Sequence, residues 1–251
     1  TFTATPTNGG AAPVYQCQVN GINTGTNDAT FTTNALANGD NVTVIMTSSL
    51  ACAVPTTATS NTITMAVNPN STPTVSIIAN PAGPICTGTS VTFTATATSI
   101  AGGTVNYNFK VNGSSVQNDA SNTFTTSTLA NGNTVTCDIT ITGGTCLTAT
   151  TTSSNIISMV VNPNSIPSLN ITANPAGPIC TGTSVTFTAT ANNTAGGTVN
   201  YNFKVNGTSV QSSTSNTFTS TALVNGNTIT CDITVTGGIC LTATTAASNT
   251  I

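Results

Sequence analysis

The sequence has no histidine, arginine, glutamate or tryptophan among its 251 residues, and only two lysines and five aspartates. Charged residues make up 3% of it, against about 25% in an ordinary soluble domain. Each absence excludes something. Without His or Glu the usual general acids and bases are missing, and five scattered aspartates do not replace them, so an enzyme is not expected. Two lysines cannot neutralise a run of phosphates, which excludes nucleic-acid binding. The net charge of −3 is too small to steer a partner over a distance. Calcium needs several clustered acidic oxygens, and Asp28, Asp40, Asp119, Asp138 and Asp232 stand apart in sequence. No C-x-x-C pair offers a zinc site, so neither metal nor cofactor is expected. No stretch approaches the roughly 18 apolar residues of a membrane helix, so no direct membrane insertion is expected, and no signal peptide opens the chain.

What is present is β-sheet material. Hydrophobic residues make up 37%, with Val, Ile and Phe alternating with Thr, Asn and Ser, a pattern that predicts half-buried strands and an all-β chain. Solubility must come from hydroxyl and amide groups, which suits a secreted protein. Thr1-Phe2-Thr3-Ala4-Thr5 and Ser248-Asn249-Thr250-Ile251 both read as the middle of strands, so the sequence is expected to be a segment of something longer.

An internal repeat sets the organisation. Asn80 to Thr89 recurs unchanged at Asn174 to Thr183, 94 residues later, and the same offset maps Val105–Gly113 onto Val199–Gly207. Between residues 70–157 and 164–251, 66 of 88 positions are identical. A first, more diverged copy is in register through Gln18-Val19-Asn20-Gly21, Leu36-Ala37-Asn38-Gly39 and Asn68-Pro69-Asn70, and lacks the opening twenty or so residues of the others. The last copy lacks the counterpart of Ser158–Asn162. A period near 94 exceeds that of solenoid coils, about 20–45 residues, and fits one immunoglobulin-sized sandwich of about 100 residues per copy. The expected domains are 1–69 (truncated at its start), 70–163 (complete) and 164–251 (truncated at its end), arranged as beads on a string. Asn68-Pro69-Asn70 and Asn162-Pro163-Asn164 are linkers too short for free swinging.

In the complete second copy, strands are predicted at Val75–Ala79, around Val91, Phe93 and Ala95, and through Val105, Tyr107, Phe109 and Val111. Others follow at Phe124, through Val135, Cys137, Ile139 and Ile141, and from Leu147 to Val161 with a break near Ser153-Ser154. Asn80–Thr89 reads as a loop, and Asn112-Gly113 as a hairpin turn. Seven or so strands at this spacing favour a Greek-key sandwich.

The run Pro84-Ile85-Cys86-Thr87-Gly88-Thr89-Ser90-Val91-Thr92-Phe93-Thr94-Ala95 resembles the start of the PKD-like and immunoglobulin-like repeats of Bacteroidetes surface proteins. Tyr15-Gln16-Cys17-Gln18-Val19-Asn20-Gly21, Leu36-Ala37-Asn38-Gly39-Asp40 and Ala58-Thr59-Ser60-Asn61 are similar to later parts of that repeat. The resemblance covers the whole chain. It implies tandem sandwiches of a giant cell-surface adhesin exported by the type IX secretion system, a group that includes the mobile adhesins of gliding motility. It thus implies an extracellular location on a bacterial cell surface. One departure is visible: the family usually has tryptophan where Cys17 and Phe109 stand, which bears on core packing.

Eight cysteines in a secreted chain read first as disulfides. The pairs Cys86–Cys146 and Cys180–Cys240 are expected, each tying an opening loop to the last hairpin of its own copy, and each contributing roughly 4 kcal/mol for a loop of about 60 residues. Cys52, which aligns with Cys146, would then lack its partner. Cys17, Cys137 and Cys231 read as buried free thiols acting as small hydrophobes. Cys137 stands where the first copy has Val44, and Cys17 where the second has Phe109. A Cys86–Cys137 bridge resembling the immunoglobulin one is the rival arrangement.

Lys110 and Lys204 occupy equivalent positions. They are expected to form surface ion pairs with Asp138 and Asp232, each worth about 0–1 kcal/mol, in preference to a Lys–Asn isopeptide crosslink, which needs a buried lysine. In the first copy both members change together, to Gln18 and Ile45. Asn-x-Ser/Thr sequons at Asn41, Asn70, Asn112, Asn170, Asn192 and Asn206 are what a chain rich in these residues supplies by chance. Threonine alternation such as Thr92-x-Thr94-x-Thr96 suits an outward strand face, and a twisted sandwich lacks the flat array of an ice binder.

Two functions from different classes follow. The first is a structural and adhesive stalk or spacer, each domain advancing a fibre by roughly 40 Å, whose partners are its neighbouring repeats and either surface glycans or other copies of the fibre. The second is a carbohydrate-binding or accessory module of a secreted polysaccharide-degrading enzyme. Sugar platforms need exposed aromatics, and Tyr15, Tyr107 and Tyr201 lie at equivalent strand positions expected to point inward.

Overall fold

The structure is a computed structural model that describes all residues, 1–251. It consists of strands, turns and loops without a helix. In the second repeat, Thr74–Asn80, Val91–Thr98 and Thr123–Thr126 form one antiparallel sheet with Val91–Thr98 at its centre. The other sheet has the order Ser114–Asp119, Thr104–Val111, Thr134–Thr142, Thr151–Ser153, with Ile157–Ser158 also paired to Thr134–Thr142. The chain changes sheets after Thr98, after Asp119 and again after Thr126, which is the Greek-key order of an immunoglobulin-like sandwich. The third repeat repeats it. Ser168–Asn174, Val185–Asn192 and Thr217–Ser220 form one sheet; Thr208–Ser213, Thr198–Val205, Ile229–Thr236 and Thr245–Ala247 form the other.

Period-two alternation explains which residues go inside. Along Thr134–Thr142 the side chains of Val135, Cys137, Ile139 and Ile141 are buried, while the threonines and Asp138 between them face out or lie half-buried. Two such faces meet in each sandwich. In the third repeat Leu169, Ile171, Val185, Phe187 and Ala189 from one sheet pack against Phe203, Ile229, Cys231, Ile233 and Val235 from the other. Phe109 and Phe203 occupy equivalent positions on Thr104–Val111 and Thr198–Val205. Both are fully buried, with ring centroids 5.7 Å from Phe124 and Phe218 respectively. No polar or charged residue is buried, so the few charges lie outside the cores.

The hairpin turns follow from the Asn-Gly pairs. Val111 pairs with Ser114 across Asn112-Gly113, both central residues having positive φ (50° and 80°). This is the conformation whose twist matches the flanking strands and that Asn-Gly tolerates best. Asn20-Gly21 and Asn206-Gly207 repeat it. On outward faces, threonine hydroxyls link neighbouring strands, Thr92 to Thr125 at 2.9 Å and Thr186 to Thr219 at 3.0 Å.

The first repeat is smaller. Phe2–Thr3 pairs with Thr30–Phe31, and a second sheet runs Ile22–Thr24, Val14–Val19, Asn41–Thr47, Thr57–Thr59, with Ile63–Thr64 also against Asn41–Thr47. Its core is Cys17, Phe31 and Val42.

Every strand pairing lies inside one of the ranges 1–69, 70–163 and 164–251. By packing, however, the chain divides into two compact units, 1–71 with 146–148, and 72–145 with 149–251.

Candidate functional site: the junction of the second and third repeats

The segment from Val161 to Ser165 joins the two repeats, and it is gripped on both sides. Upstream, Val161–Asn162 pairs in parallel with Ile85–Cys86. The Ile85 and Thr87 amides donate to the Val160 and Asn162 carbonyls at 3.0 and 2.9 Å, and the Asn164 side chain donates to the Thr87 carbonyl. Downstream, Ser165 bridges in parallel to Leu241. Its amide donates to the Cys240 carbonyl at 2.8 Å, and its carbonyl accepts from the Thr242 amide at 2.9 Å. The loop expected over Asn80–Thr89 thus contains a short strand, Ile85–Cys86, because Val161–Asn162 offers it a backbone ladder.

Cys86 and Cys240 sit on either flank of this linker and are bonded to each other, with Cα atoms 5.3 Å apart. This corrects the expected pairs Cys86–Cys146 and Cys180–Cys240; Cys146 and Cys180 are exposed free thiols, as is Cys52. Register gives the reason. At one end of the second sandwich Thr74 pairs with Thr98 and Thr104 with Thr142, and there Cys146 accepts from the Ser71 amide. At the other end Asn80 pairs with Thr92 and Thr134 with Ser158, and there Cys86 lies beside Asn162. The strand Thr74–Asn80 runs between the ends, roughly 20 Å, whereas a disulfide needs Cα atoms within about 7 Å. An opening-loop cysteine therefore meets the closing hairpin of the next repeat instead of its own.

Cys17, Cys137 and Cys231 are free and buried. Phe109 lies directly opposite Cys137, Phe203 opposite Cys231, and Cys17 opposite Val44, so each repeat has one thiol in this cross-strand pair. Burial pushes the Cys137 and Cys231 thiols up to about 11, with the negative charge of Asp138 or Asp232 adding to it. Burial also raises Cys17, as does Asp28. Thiols held protonated in this way are inert packing groups. With Cys86 bonded to Cys240, the rival Cys86–Cys137 bridge is not formed.

Lys110 pairs with Asp138 and Lys204 with Asp232, all four side chains being between 28% and 40% exposed. The pairs are diagonal, since Asn108, not Lys110, lies opposite Asp138. Hydrogen bonds from Lys110 and then Ser153 hold the Asp138 carboxyl below its ordinary range. Asp28 is lowered by the Thr30 amide and hydroxyl, at 2.9 and 3.0 Å. Asp40 is lowered by the Ala37 amide and the Asn20 side chain, each at 2.7 Å. Asp119 caps a turn by accepting from the Ser121 amide at 2.8 Å. Tyr15 is buried and Tyr107 and Tyr201 are half-buried.

One device was not anticipated from the sequence. Asn155 accepts from the Ile77 amide at 2.8 Å and donates to the Ile77 carbonyl at 3.1 Å; Asn249 does the same with Ile171 at 2.8 and 3.1 Å. Each is a polar rivet tying the opening strand of one sheet to the edge of the other. The signal was available, for Ser154-Asn155 and Ser248-Asn249 recur at Ser60-Asn61, and in all three the serine hydroxyl accepts from a strand amide (of Cys137, Cys231 and Val44). The Asn61 side chain makes no such pair of bonds and borders a cleft of about 460 Å³ with Phe2, Tyr15, Cys17 and Val44.

No family model and no curated protein matches the chain. Among solved structures it is similar to the fibronectin(III)-like modules of Clostridium thermocellum CbhA, with 16% identity over 70% of this chain and 93% of that one and a TM-score of 0.33. It is similar to the three N-terminal domains of the Highly Immunogenic Outer Capsid protein of bacteriophage RB49, with 11% identity over 96% and 86% and a TM-score of 0.35. A run of titin domains gives 9% identity over 96% and 88% and a TM-score of 0.38. The immunoglobulin-like assignment itself comes from the strand order and register.

The Cys86–Cys240 bond thus links a residue early in the second repeat to one late in the third, 154 residues apart in sequence.

Proposed function

We propose that this chain is a load-bearing segment of a long extracellular stalk on a bacterial surface, a spacer that holds an adhesive tip away from the cell. The observation that carries the proposal is the Cys86–Cys240 bond across a repeat junction. A bond between successive sandwiches serves little purpose in a module that acts alone, and it serves a fibre under tension directly. The disulfide suits an oxidising compartment. The resemblance to Bacteroidetes surface repeats adds export by type IX secretion and a role in surface attachment or gliding. The partners in this reading are the neighbouring repeats, with surface glycans or other copies of the fibre as further contacts.

Immunogold labelling of intact cells of the encoding organism, with antibodies raised against residues 70–163, tests the proposal. Label standing off the outer surface is expected; label found only after permeabilisation overturns it. Specific binding of the purified chain on a glycan array would favour the carbohydrate-binding alternative.

A further inference from the structure

Cys180 is the equivalent of Cys86, and Cys146 the equivalent of Cys240, both at an offset of 94. Each is exposed and unbonded, while their counterparts form the junction disulfide. The backbone around Cys146 already has the arrangement found around Cys240. The Ser71 amide donates to the Cys146 carbonyl at 2.8 Å, as the Ser165 amide does to that of Cys240. Ser71 bridges Leu147 as Ser165 bridges Leu241. Both cysteines have a positive φ, 56° and 61°, a conformation that is uncommon for a residue other than glycine. The bonded and unbonded half-sites are therefore built alike, so the geometry at Cys146 does not depend on its own bond.

We propose that Cys86–Cys240 is one member of a regular series in which the opening-loop cysteine of each repeat bonds the closing-hairpin cysteine of the repeat that follows. Cys180 is then a donor half-site for the closing hairpin of a following repeat of this kind, and Cys146 an acceptor half-site for the opening loop of a preceding one. The linker ladder sets the pairing. Wherever Val161–Asn162 or its counterpart lies along an opening loop and the next residues bridge a closing hairpin, the two sulfur atoms flank the same short segment. Each bond forms as two thiols lose two protons and two electrons, the electrons passing to an external disulfide that is reduced to two thiols. The inference stands apart from the cellular location of the stalk, since it concerns only which sulfur meets which.

The test extends the chain. Residues 158–251 are appended after Ile251, which places a linker in register and a fourth repeat with its own closing-hairpin cysteine. The protein is oxidised with a glutathione redox buffer, its remaining thiols are alkylated, and it is digested without reduction and mapped by mass spectrometry. The expected map contains Cys86–Cys240 together with a second bond from Cys180 to the appended copy of Cys240. In a companion protein carrying Cys180→Ser, the appended closing cysteine becomes alkylated while Cys86–Cys240 persists. Cys180 bonded to Cys240, Cys180 alkylated while Cys86–Cys240 is present, or a map with neither crosslink overturns the proposal.

Discussion

Pulling the chain between Thr1 and Ile251 gives the sharpest mechanical consequence of the junction bond. Cys86 and Cys240 are 154 residues apart in sequence, and a fully extended chain spans about 3.5 Å per residue. The bond therefore withholds about 540 Å of contour length, even after every sandwich outside it has come undone. In an atomic-force or optical-tweezer experiment, the oxidised protein should reach only about 340 Å at full extension, and addition of a reductant should release the remainder. Bonds within each repeat, Cys86–Cys146 and Cys180–Cys240, would give a different record. They would hide two separate loops of about 210 Å each, so the oxidised chain would extend to about 460 Å. An oxidised chain that stretches to about 880 Å, or one whose hidden length is released in two equal portions, refutes the reasoning.

Three further outcomes follow. Asn249→Ala removes both hydrogen bonds to Ile171 and should destabilise the third repeat by about 2 kcal/mol, at about 1 kcal/mol per bond, read by urea unfolding followed by circular dichroism; the same change at Asn61 should be nearly neutral. With an aromatic disulfide reagent at pH 8, three of the six free thiols (Cys52, Cys146 and Cys180) should react rapidly in the folded protein. Cys17, Cys137 and Cys231 should react only in denaturant, and fast reaction of all six would contradict their burial. Asp28, Asp40 and Asp138 have folded-state pKa values below their ordinary ones, so the folded state binds their protons less readily than the unfolded state. Their stabilisation is present above about pH 4 and is lost as the pH falls through the folded values. A thermal melt series should thus be level from about pH 5 to pH 7 and decline below about pH 4, and a decline already at pH 6 would contradict this.

Much of the architecture was legible because it rests on local chemistry. Alternation of Val, Ile and Phe with Thr gave the strands, Asn-Gly pairs gave the hairpins, and the period gave the repeats. The partners of Lys110 and Lys204 could be read from outward alternation on neighbouring strands, although their diagonal placement could not. The cysteine pairing was hidden for a physical reason. Sequence spacing makes Cys86 and Cys146 neighbours within one repeat, yet strand direction puts them at opposite ends of the sandwich, and only the path of Val161–Ser165 brings Cys86 to Cys240. The short strand Ile85–Cys86 was missed likewise, because Pro81, Gly83 and Pro84 mark a loop and its pairing partner, Val161–Asn162, lies 76 residues downstream. The Asn155 and Asn249 rivets depend on contact between two sheets, which no periodicity records.

The central claim is that covalent continuity runs from repeat to repeat, and a non-reducing peptide map of the unaltered chain tests it most directly. Alkylation of free thiols followed by digestion and mass spectrometry should recover one crosslinked peptide pair, Cys86 with Cys240, and six alkylated cysteines. Recovery of Cys86 with Cys146 and Cys180 with Cys240 would confine each bond to its own sandwich and contradict the account.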